Sequence, residues 1–306
     1  MNPRQTDHYV GRFAPSPTGP LHFGSLLAAI ASYLQARTNG GRWIVRIEDI
    51  DPPRAKAGAD QAIIATLRRY GFSWDGPILY QSESGHAHTA YISKLLNRGL
   101  AYPCSCSRRE LADTPTGPLG HIYPGTCRGG YKGARRAIRV RCDDEPIRFD
   151  DSLQGPGMQR LESESGDFLI RRGDGLTAYQ LAVAVDDHLQ GVTEVVRGID
   201  LLDSTPRQIY LQRLCGFATP RYCHIPVAVR HDGRKLSKLS GASGIAINDP
   251  RPVLVAALIA LGQKIPSELG YSSLETIWDW AFAHWNIAVL KGVRSVAIED
   301  SSLARH

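Results

Sequence analysis

The sequence lacks the features that mark membrane and secreted proteins. Its most apolar run, residues 253–261, has about half of the roughly 20 residues that a membrane-spanning helix needs, so we predict a buried helix there. Residues 1–9 are polar and contain no apolar core of a secretion signal. We therefore expect a cytoplasmic protein.

Cysteine is scarce as well. Six cysteines in 306 residues are too few for a disulfide framework, and we find no internal repeat and no low-complexity tract. The hydrophobic share of 42% is sufficient for a sizeable core, so disorder is excluded. The net charge of +6 and the pI of about 9.0 favour a polyanionic partner only weakly. The length suggests two or three domains.

The order of predicted elements is typical of an α/β protein with a parallel sheet. A strand, a Pro-rich loop, a helix with one apolar stripe and a second strand follow one another, which is the pattern of a βαβ unit. The first part of the chain is predicted to contain strands over 10–13 and 43–47 and helices over 25–36, 55–70 and 89–98.

Between about residues 104 and 172 the character of the chain changes. Pro, Gly and Arg become frequent and only short strand-like pieces occur, so we interpret this region as an insertion into the sheet. The chain after Pro250 is mostly helical. The predicted domains are the first half of a Rossmann-type core (1–103), the insertion (104–172), the second half of the core (173–240) and a helical segment (241–306).

The strongest motif runs from the first predicted strand into the first predicted helix. A helix N-terminus has free N–H groups and a partial positive charge, which suit a phosphate. Gly24 would let a flat adenine ring pack closely, and His22 can donate to a phosphate oxygen; a Pro-rich turn with an incidental histidine is the structural alternative. The motif is Arg12-Phe13-Ala14-Pro15-Ser16-Pro17-Thr18-Gly19-Pro20-Leu21-His22-Phe23-Gly24-Ser25.

A second motif is a basic loop, Lys235-Leu236-Ser237-Lys238, preceded by Asp232-Gly233-Arg234. Its two lysines and its serine can hold a triphosphate and stabilise charge that develops during a reaction. Such a string is weak by itself, because basic surface loops are common.

Together and in this order, the two motifs resemble the paired signatures of class I aminoacyl-tRNA synthetases. His22-Phe23-Gly24-Ser25 stands where that family has His-Ile-Gly-His, and the basic loop stands where it has Lys-Met-Ser-Lys-Ser. The resemblance covers about residues 9–239 and implies an ATP-dependent ligase that activates glutamate as an acyl-adenylate. The strings that match the glutamyl branch are Arg46-Ile47-Glu48-Asp49, Thr177-Ala178-Tyr179-Gln180 and Val196-Arg197-Gly198-Ile199-Asp200.

The chain also departs from the glutamyl pattern. Only residues 240–306 follow the basic loop, whereas a complete glutamyl-tRNA synthetase continues into helical domains that read the anticodon. Ser25 replaces the second signature histidine, and Leu236 and Leu239 alter the basic loop. The short form and the residues around 19–26 and 198–202 resemble instead the short subfamily that attaches glutamate to the queuosine at the wobble position of tRNA(Asp).

The resemblance also implies roles for individual residues. Glu48 is expected at the α-ammonium of glutamate, whereas Arg12, Tyr179 and Arg197 hold the two carboxylates, in a division that stays open. His22 and Lys238 are expected to stabilise the α-phosphate during catalysis, and magnesium is expected to enter with ATP. The rest of the glutamate pocket is expected to be Phe13, Ala14, Pro15 and Ser16, and the ATP site Thr18, His22, Gly24, Ser25, Lys235, Ser237 and Lys238.

Three cysteines, Cys104, Cys106 and Cys127, lie close together in the sequence and predict a metal site. Three thiolates suit a tetrahedral structural zinc, which needs one more ligand. From the residues alone His121 is the default fourth ligand, but the subfamily resemblance implies Tyr123. Reduced cysteines in a turn are the alternative without metal, and Cys142 is an outside candidate.

Other polar residues are expected to have no ligand-binding role. His86, His88, His188 and His224 are predicted to be surface histidines or hydrogen-bonded core histidines. The pair Asp186-Asp187 is predicted to be a solvated turn.

The resemblance allows three hypotheses about the acceptor of glutamate or the role of the protein. The first is the queuosine of tRNA(Asp), bound through its anticodon stem-loop; its cyclopentene cis-diol resembles the diol of a terminal ribose. The second is the 3′ end of tRNA(Glu), charged by a truncated synthetase. The third is a catalytically silent RNA-binding paralogue, which the intact Glu48, Arg197 and Lys238 argue against. A monomer is expected in each case.

Overall fold

A computed structural model of the protein describes residues 9–130, 133, 137–230, 245 and 248–298. The α-helices in these residues are α1 (Phe23–Thr38), α2 (Ala59–Arg69), α3 (Gly85–Asn97), α4 (Leu161–Glu164), α5 (Tyr179–Leu189), α6 (Thr205–Cys215), α7 (Arg251–Ala260) and α8 (Leu274–His284). The strands are β1 (Val10–Phe13), β2 (Arg42–Ile47), β3 (Leu79–Tyr80), β4 (Ala101–Cys104), β5 (Thr116–Gly117), β6 (Gly120–His121), β7 (Ala137–Val140), β8 (Pro146–Asp151), β9 (Gly155–Arg160), β10 (Leu169–Arg171), β11 (Glu194–Gly198), β12 (Arg221–Ile225), β13 (Val227–Val229) and β14 (Ser295–Ala297).

The first three strands form a parallel sheet in the order β1-β2-β3. Helix α1 connects β1 to β2, as predicted for a βαβ unit. Leu26, Ile30 and Leu34 are fully buried and lie one helical turn apart, so they form one stripe of the core. The motif that joins β1 to α1 is therefore held at the end of a buried strand and at the start of a buried helix.

Helix α2 begins at Ala59, although the sequence predicts its start near residue 55. Gly58, in the left-handed region with φ 72°, directly precedes the helix. The amide of Lys56 donates to the carbonyl of Pro17 at 2.9 Å, which holds the residues before α2 against the Pro-rich loop. This contact across 39 residues of chain replaces the first turn that periodicity predicts.

The second half of the core is a four-stranded sheet in the order β11-β12-β8-β9. Strands β11, β12 and β8 are parallel, and β8 and β9 form an antiparallel hairpin. The amide of Thr193 donates to the carbonyl of Val10 at 3.0 Å, so the start of β11 lies beside β1. The hairpin from the region predicted as an insertion thus extends the core sheet.

The rest of that region contains a separate antiparallel sheet with the order β10-β7-β4, the short hairpin β5-β6 and helix α4. Strand β4, the first of the three along the chain, begins at Ala101, before the predicted start of the insertion at residue 104. One side of this sheet packs a small buried cluster that includes Tyr102, Cys104, Tyr123 and Cys127. The predicted domain limits themselves stay a prediction.

The helices after Pro250 cover the outer side of α1. The indole N–H of Trp278 on α8 donates to the carbonyl of Tyr70 at 2.8 Å, and the Trp278 ring meets the Tyr33 ring edge to face at 5.2 Å. Strand β14 pairs with β13, which ties the end of the described chain to the core. No helix among the described residues combines the length and the apolar character needed to cross a membrane.

Candidate active site and metal centre

An open cavity of about 560 Å³ lies at the carboxyl ends of β1, β2, β11 and β12. Ligands of α/β proteins bind at this edge of the sheet because the loops that follow parallel strands meet there. Eleven residues that the sequence assigns to glutamate or ATP line this one cavity: Arg12, Phe13, Ala14, Pro15, Ser16, His22, Gly24, Ser25, Glu48, Tyr179 and Arg197.

The remaining predicted site residues have other outcomes. Thr18 does not line the cavity; its amide donates to the carbonyl of Ser16 at 2.8 Å and closes the turn of the loop. Lys235, Ser237 and Lys238 lie outside the described residues.

The cavity also contains residues for which the sequence suggested no role. Arg54 lines the cavity and follows the Asp51-Pro52-Pro53 turn. Its position after two prolines is the local feature of the sequence that could have suggested a role for it. The others lie on α1, on or just after β11, or along the end of β12 and the start of β13: Ala28, Val196, Gly198, Asp200, Leu201, Ile225, Pro226, Val227 and Ala228.

His22 is the N-cap of α1. Its backbone is extended (φ −107°, ψ 167°), and its Nδ1 accepts a hydrogen bond from the amide of Ser25 at 3.2 Å. Nε2 lies 3.0 Å from the hydroxyl oxygen of Ser25, so the imidazole with hydrogen on Nε2 satisfies both contacts. Because His22, Gly24 and Ser25 all line the cavity, the positive end of α1 faces it and can stabilise an anion.

Four buried charges lie at the base of the cavity. The guanidinium of Arg46 contacts Asp187 at 2.8 Å and Glu48 at 3.3 Å, and Arg12 contacts Asp187 at 3.3 Å. None of these side chains is more than 7% exposed. Two cations and two anions are thus paired, which is the arrangement that makes buried charge tolerable.

The two carboxylates of this network differ in acidity. Burial raises the pKa of Glu48, and the opposing attraction of Arg46 and Arg12 does not fully offset it. Burial also acts to raise the pKa of Asp187, but Arg12 and Arg46 outweigh it and hold that pKa below its usual range. Glu48 lines the cavity and contacts one guanidinium, so it can accept a further cation, whereas Asp187 contacts two arginines.

Asp186 and Asp187 were predicted to form a solvated turn, and this prediction is wrong. Both lie on α5, with 0% and 4% of their surface exposed. Asp186 accepts hydrogen bonds from Gln81 at 2.8 Å and lies 2.9 Å from Nε2 of His88. Helix α5 is buried on this side, so both carboxylates find partners in distant elements rather than in water.

The histidine predictions are confirmed. His88 is a hydrogen-bonded core histidine, and so is His224, whose Nδ1 lies 2.6 Å from Asp151. His86 and His188 are exposed, and the His188 ring stacks on Phe217.

Arg197 reaches the cavity from the end of β11. It is 4% exposed and donates to Gln208 at 2.8 Å and to Thr205 at 2.9 Å. Tyr179 starts α5 and lines the same cavity, and burial raises the pKa of its phenol. The cavity thus combines one carboxylate for an ammonium group, two fixed guanidiniums for carboxylates and a helix N-terminus for phosphate.

The thiols of Cys104, Cys106 and Cys127 lie within 4.8 Å of one another. The phenol oxygen of Tyr123 lies 3.4 Å from Cys104 Sγ and 3.5 Å from Cys106 Sγ, and it accepts a hydrogen bond from the amide of Cys127 at 2.9 Å. We call these four residues the cysteine cluster. Three soft thiols around one point fit a metal ion.

The alternative fourth residues lie elsewhere. His121 is exposed on β6, and its Nδ1 lies 3.2 Å from the carbonyl of Thr114. Cys142 is buried, but it lies outside the group of thiols that converge, and its amide donates to Asp167 at 2.7 Å. Tyr123 is therefore the residue that the fold brings to the three thiols.

Arg139 on β7 contacts the cysteine cluster, and the sequence did not suggest this neighbour. Its Nε donates to Cys104 Sγ at 3.3 Å, and its guanidinium lies 3.8 Å from the centre of the Tyr123 ring. A fixed cation stabilises a neighbouring thiolate. Burial opposes ionisation of Cys127, but hydrogen bonds from Tyr123 and Ser105 hold the pKa of its thiol at about 6.

Comparison with known proteins identifies the family. Residues 9–269 match the family described as "tRNA synthetases class I (E and Q), catalytic domain". Glutamate-tRNA synthetase from Elizabethkingia anophelis superimposes with a TM-score of 0.80 at 22% identity, over 97% of this chain and 69% of that one. The glutamate tRNA ligase of Elizabethkingia meningosepticum gives 0.80 at 23% identity, over 97% and 68%. The fold is therefore the α/β fold of these class I enzymes.

Closer sequence relatives have the length of this chain. Glutamyl-Q tRNA(Asp) synthetase of Pseudomonas fluorescens is 48% identical over 99% of this chain and 100% of its own. The proteins of the same name from Pseudomonas aeruginosa and Dechloromonas aromatica are each 52% identical, over 92% and 90% of this chain and 94% of their own. The chain therefore belongs to the glutamyl-Q tRNA(Asp) synthetases, a branch of the class I synthetase family.

Proposed function

We propose that the protein activates glutamate with ATP, without a need for tRNA, and transfers it to the queuosine of tRNA(Asp). The observation that carries this proposal is the similarity to glutamyl-Q tRNA(Asp) synthetases along nearly the whole chain. The cavity supports it, because its residues match the charges of glutamate and its helix N-terminus suits ATP.

Glutamate carries one ammonium group and two carboxylates. We assign the ammonium to Glu48, whose place in the cavity and whose ion pair with one guanidinium, that of Arg46, support this role. The carboxylates are assigned to Arg12, Tyr179 and Arg197, and the wall of the pocket to Phe13, Ala14, Pro15 and Ser16. A neutral amide in place of the side-chain carboxylate would leave a buried guanidinium poorly paired, so glutamine should be rejected.

ATP is assigned to the N-terminal end of α1. Gly24 leaves room for adenine, and His22 and Ser25 face the phosphates. Thr18 would support the loop, and Lys235, Ser237 and Lys238 would hold the triphosphate with magnesium. In this scheme His22 and Lys238 stabilise the α-phosphate as charge develops.

The reaction needs no nucleophile from the protein. An oxygen of the glutamate α-carboxylate attacks the α-phosphorus of ATP, the bond to the β-phosphate oxygen breaks, and pyrophosphate leaves. A hydroxyl of the queuosine cyclopentenediol then attacks the acyl carbon of the adenylate and loses its proton, and AMP leaves with the bonding electrons. The protein contributes position and charge stabilisation.

We assign one structural zinc ion to the cysteine cluster, with Cys104, Cys106, Cys127 and Tyr123 as ligands. The convergence of these four side chains supports a closed tetrahedral site. Such an ion would crosslink β4 to the loop that carries Tyr123 and Cys127. We expect a cytoplasmic monomer, whose insertion (104–172) and helical segment (241–306) contact the anticodon stem-loop.

One transfer assay tests the function. Radiolabelled glutamate is offered with ATP to tRNA(Asp) from normal cells and to tRNA(Asp) that lacks queuosine, and nuclease mapping locates the label. We expect label only on the modified tRNA, within the anticodon loop. Label on a 3′-terminal adenosine, or equal labelling of both tRNAs, would identify a truncated glutamyl-tRNA synthetase, and no glutamate-dependent pyrophosphate exchange would identify a silent paralogue.

A further inference from the structure

The orientation of Arg197 depends on a hydrogen bond acceptor that the proposed function does not use. Arg197 on β11 and His224 on β12 are directly paired in register. The Nε–H of Arg197 donates to Nε2 of His224 at 2.9 Å, while its Nη groups donate to Gln208, Thr205 and Leu201 at 2.8, 2.9 and 3.3 Å. The guanidinium plane is therefore fixed along two sides.

This geometry determines which ring nitrogen of His224 carries the hydrogen. An arginine only donates, so Nε2 must present its lone pair, and the hydrogen must lie on Nδ1. Nδ1 lies 2.6 Å from Oδ2 of Asp151, which accepts that hydrogen. The other oxygen of Asp151 accepts from the amides of Leu153 at 3.1 Å and Gln154 at 2.9 Å, so this carboxylate is itself held as an acceptor.

All three groups are buried: Asp151, Arg197 and His224 are at most 4% exposed. Buried polar groups depend strongly on their hydrogen bonds because water cannot replace a lost partner. The side chains that face or act on the imidazole of His224 from the packed elements are Asp151 on β8, Arg197 on β11, Thr205 on α6, Tyr222 on β12 and Arg12 on β1.

We propose that Asp151 and His224 are positioning residues for glutamate: Asp151 fixes the tautomer of His224, and the lone pair on Nε2 of His224 fixes the guanidinium of Arg197 in the cavity. This inference rests on the proposed role of Arg197 in binding glutamate. It also gives the hairpin β8–β9 a part in the amino-acid pocket, because Asp151 ends β8. That hairpin lies in the region that the sequence predicts as an insertion.

A purely structural role is the competing explanation. The same hydrogen bond from Nδ1 to Asp151 holds β8 beside β12, and the protein could need it for that reason alone. The two explanations depend on different nitrogens of one ring: positioning of Arg197 requires Nε2, whereas the side-chain contact with β8 requires Nδ1. The backbone amide of His224 also donates to Oδ1 of Asp151 at 3.2 Å, and this contact does not depend on the ring.

Two amide substitutions separate the nitrogens. In His224→Gln the amide oxygen can occupy the place of Nε2 and accept from Arg197, whereas the donor to Asp151 is lost. In His224→Asn the amide N–H can occupy the place of Nδ1 and donate to Asp151, whereas the acceptor for Arg197 is lost. The surface variant His188→Gln is the matched control.

The experiment measures glutamate-dependent ATP–pyrophosphate exchange. We expect KM for glutamate to rise about 10- to 100-fold in His224→Asn, as for the loss of a hydrogen bond to a charged group. In His224→Gln the rise should be several-fold smaller, and KM for ATP should stay unchanged in both variants. An equal effect of both, or a larger effect of His224→Gln, would overturn the inference in favour of the structural role.

Wild-type protein gives a second test that needs no variant. Nitrogen NMR of isotope-labelled imidazole at neutral pH should show His224 with hydrogen on Nδ1 and a bare Nε2. A hydrogen on Nε2 would overturn the inference even if the variants fail to fold. Absence of exchange in the wild type would instead refute the proposed function, so the two failures are distinguishable.

Discussion

The cavity and the cysteine cluster differ in how their buried polar groups are paired. In the cavity each buried guanidinium meets a carboxylate or neutral acceptors: Arg12 and Arg46 share Asp187, and Arg197 faces His224. In the cysteine cluster, by contrast, three thiols and one phenol converge on each other. All four of these groups lose a proton when they bind a metal, and Arg139 adds a positive charge nearby.

The two regions therefore differ in what fixes their geometry. The charges of the cavity are balanced by residues of the fold, so its geometry is set when the chain folds. The proposed zinc ion would make the stability of the cysteine cluster depend on the metal concentration, because an ion that binds only the folded state stabilises it by mass action. A substitution among the buried charges of the cavity should therefore destabilise the whole core, whereas a substitution in the cysteine cluster should destabilise only the elements around it.

The largest effect is expected from Asp187→Asn. This change leaves the guanidiniums of Arg12 and Arg46 without their shared carboxylate, and breaking a buried ion pair typically costs about 3–5 kcal/mol. The free energy of unfolding from urea titrations should fall by that amount. In the control Asp249→Asn, which removes an exposed partner of Arg251, the urea midpoint should not move. A wild-type midpoint in Asp187→Asn would show that the shared carboxylate is dispensable.

Loss of the proposed zinc should have a large but local effect. In Cys127→Ser, elemental analysis should find the metal content reduced from about one zinc per chain to near zero. Amide hydrogen exchange should become faster in β4 and β7, while β1 and β11 keep their protection. Cys215→Ser, which changes a thiol outside the cluster, should leave both readouts unchanged. Loss of protection that spreads into β1 would contradict the contrast between the two regions.

A finer test concerns the fourth ligand. Tyr123→Phe removes only the phenol oxygen and should weaken zinc binding by about tenfold or more in competition with a chelator. His121→Ala should have no effect, because His121 is exposed on β6. The reverse result, a weaker site in His121→Ala with Tyr123→Phe intact, would make the imidazole the ligand.

Residues that act through local sequence were predictable. The loop from Arg12 to the first turn of α1 is contiguous, so its motif and its place between a strand and a helix were both recognisable. The spacing of Cys104, Cys106 and Cys127 predicted the convergence of three thiols that can hold a metal, although spacing could not decide between His121 and Tyr123. Local periodicity also predicted the start of α2 too early, because the contact of Lys56 with Pro17 holds the residues before Ala59 out of the helix.

Residues that act through distant partners were not predictable. Asp187 meets Arg12 across 175 positions of chain and His224 meets Asp151 across 73, and no local pattern distinguishes such carboxylates from solvated ones. Arg139 likewise reaches Cys104 only because β4 pairs with β7. The sequence thus indicated which residues line the cavity, while their supporting partners depended on the sheet order.

The smallest expected effect is a pH dependence of glutamate binding. Burial lowers the pKa of His224 below its ordinary value near 6.5, although the hydrogen bond with Asp151 opposes this. His224 should thus be neutral at and above neutral pH, with its lone pair available to Arg197. As the pH falls through the lowered pKa, a hydrogen on Nε2 would face the Nε–H of Arg197, so KM for glutamate should rise as the pH falls through that pKa, which lies below 6.5.

The variant His224→Gln isolates this contribution. Glu48 also titrates as the pH falls, because burial raises its pKa, and its protonation would weaken ammonium binding in both proteins. The ratio of the KM values of wild type and variant cancels that shared part, so it should be flat above pH 6.5 and change as the pH falls through the lowered pKa of His224. Stability should follow the same sign: the unfolded chain takes up the proton of His224 first, so neutral His224 stabilises the fold above about pH 6.5 and progressively less towards its lowered pKa. A ratio that stays flat throughout the acid range would show that protonation of His224 does not affect glutamate binding.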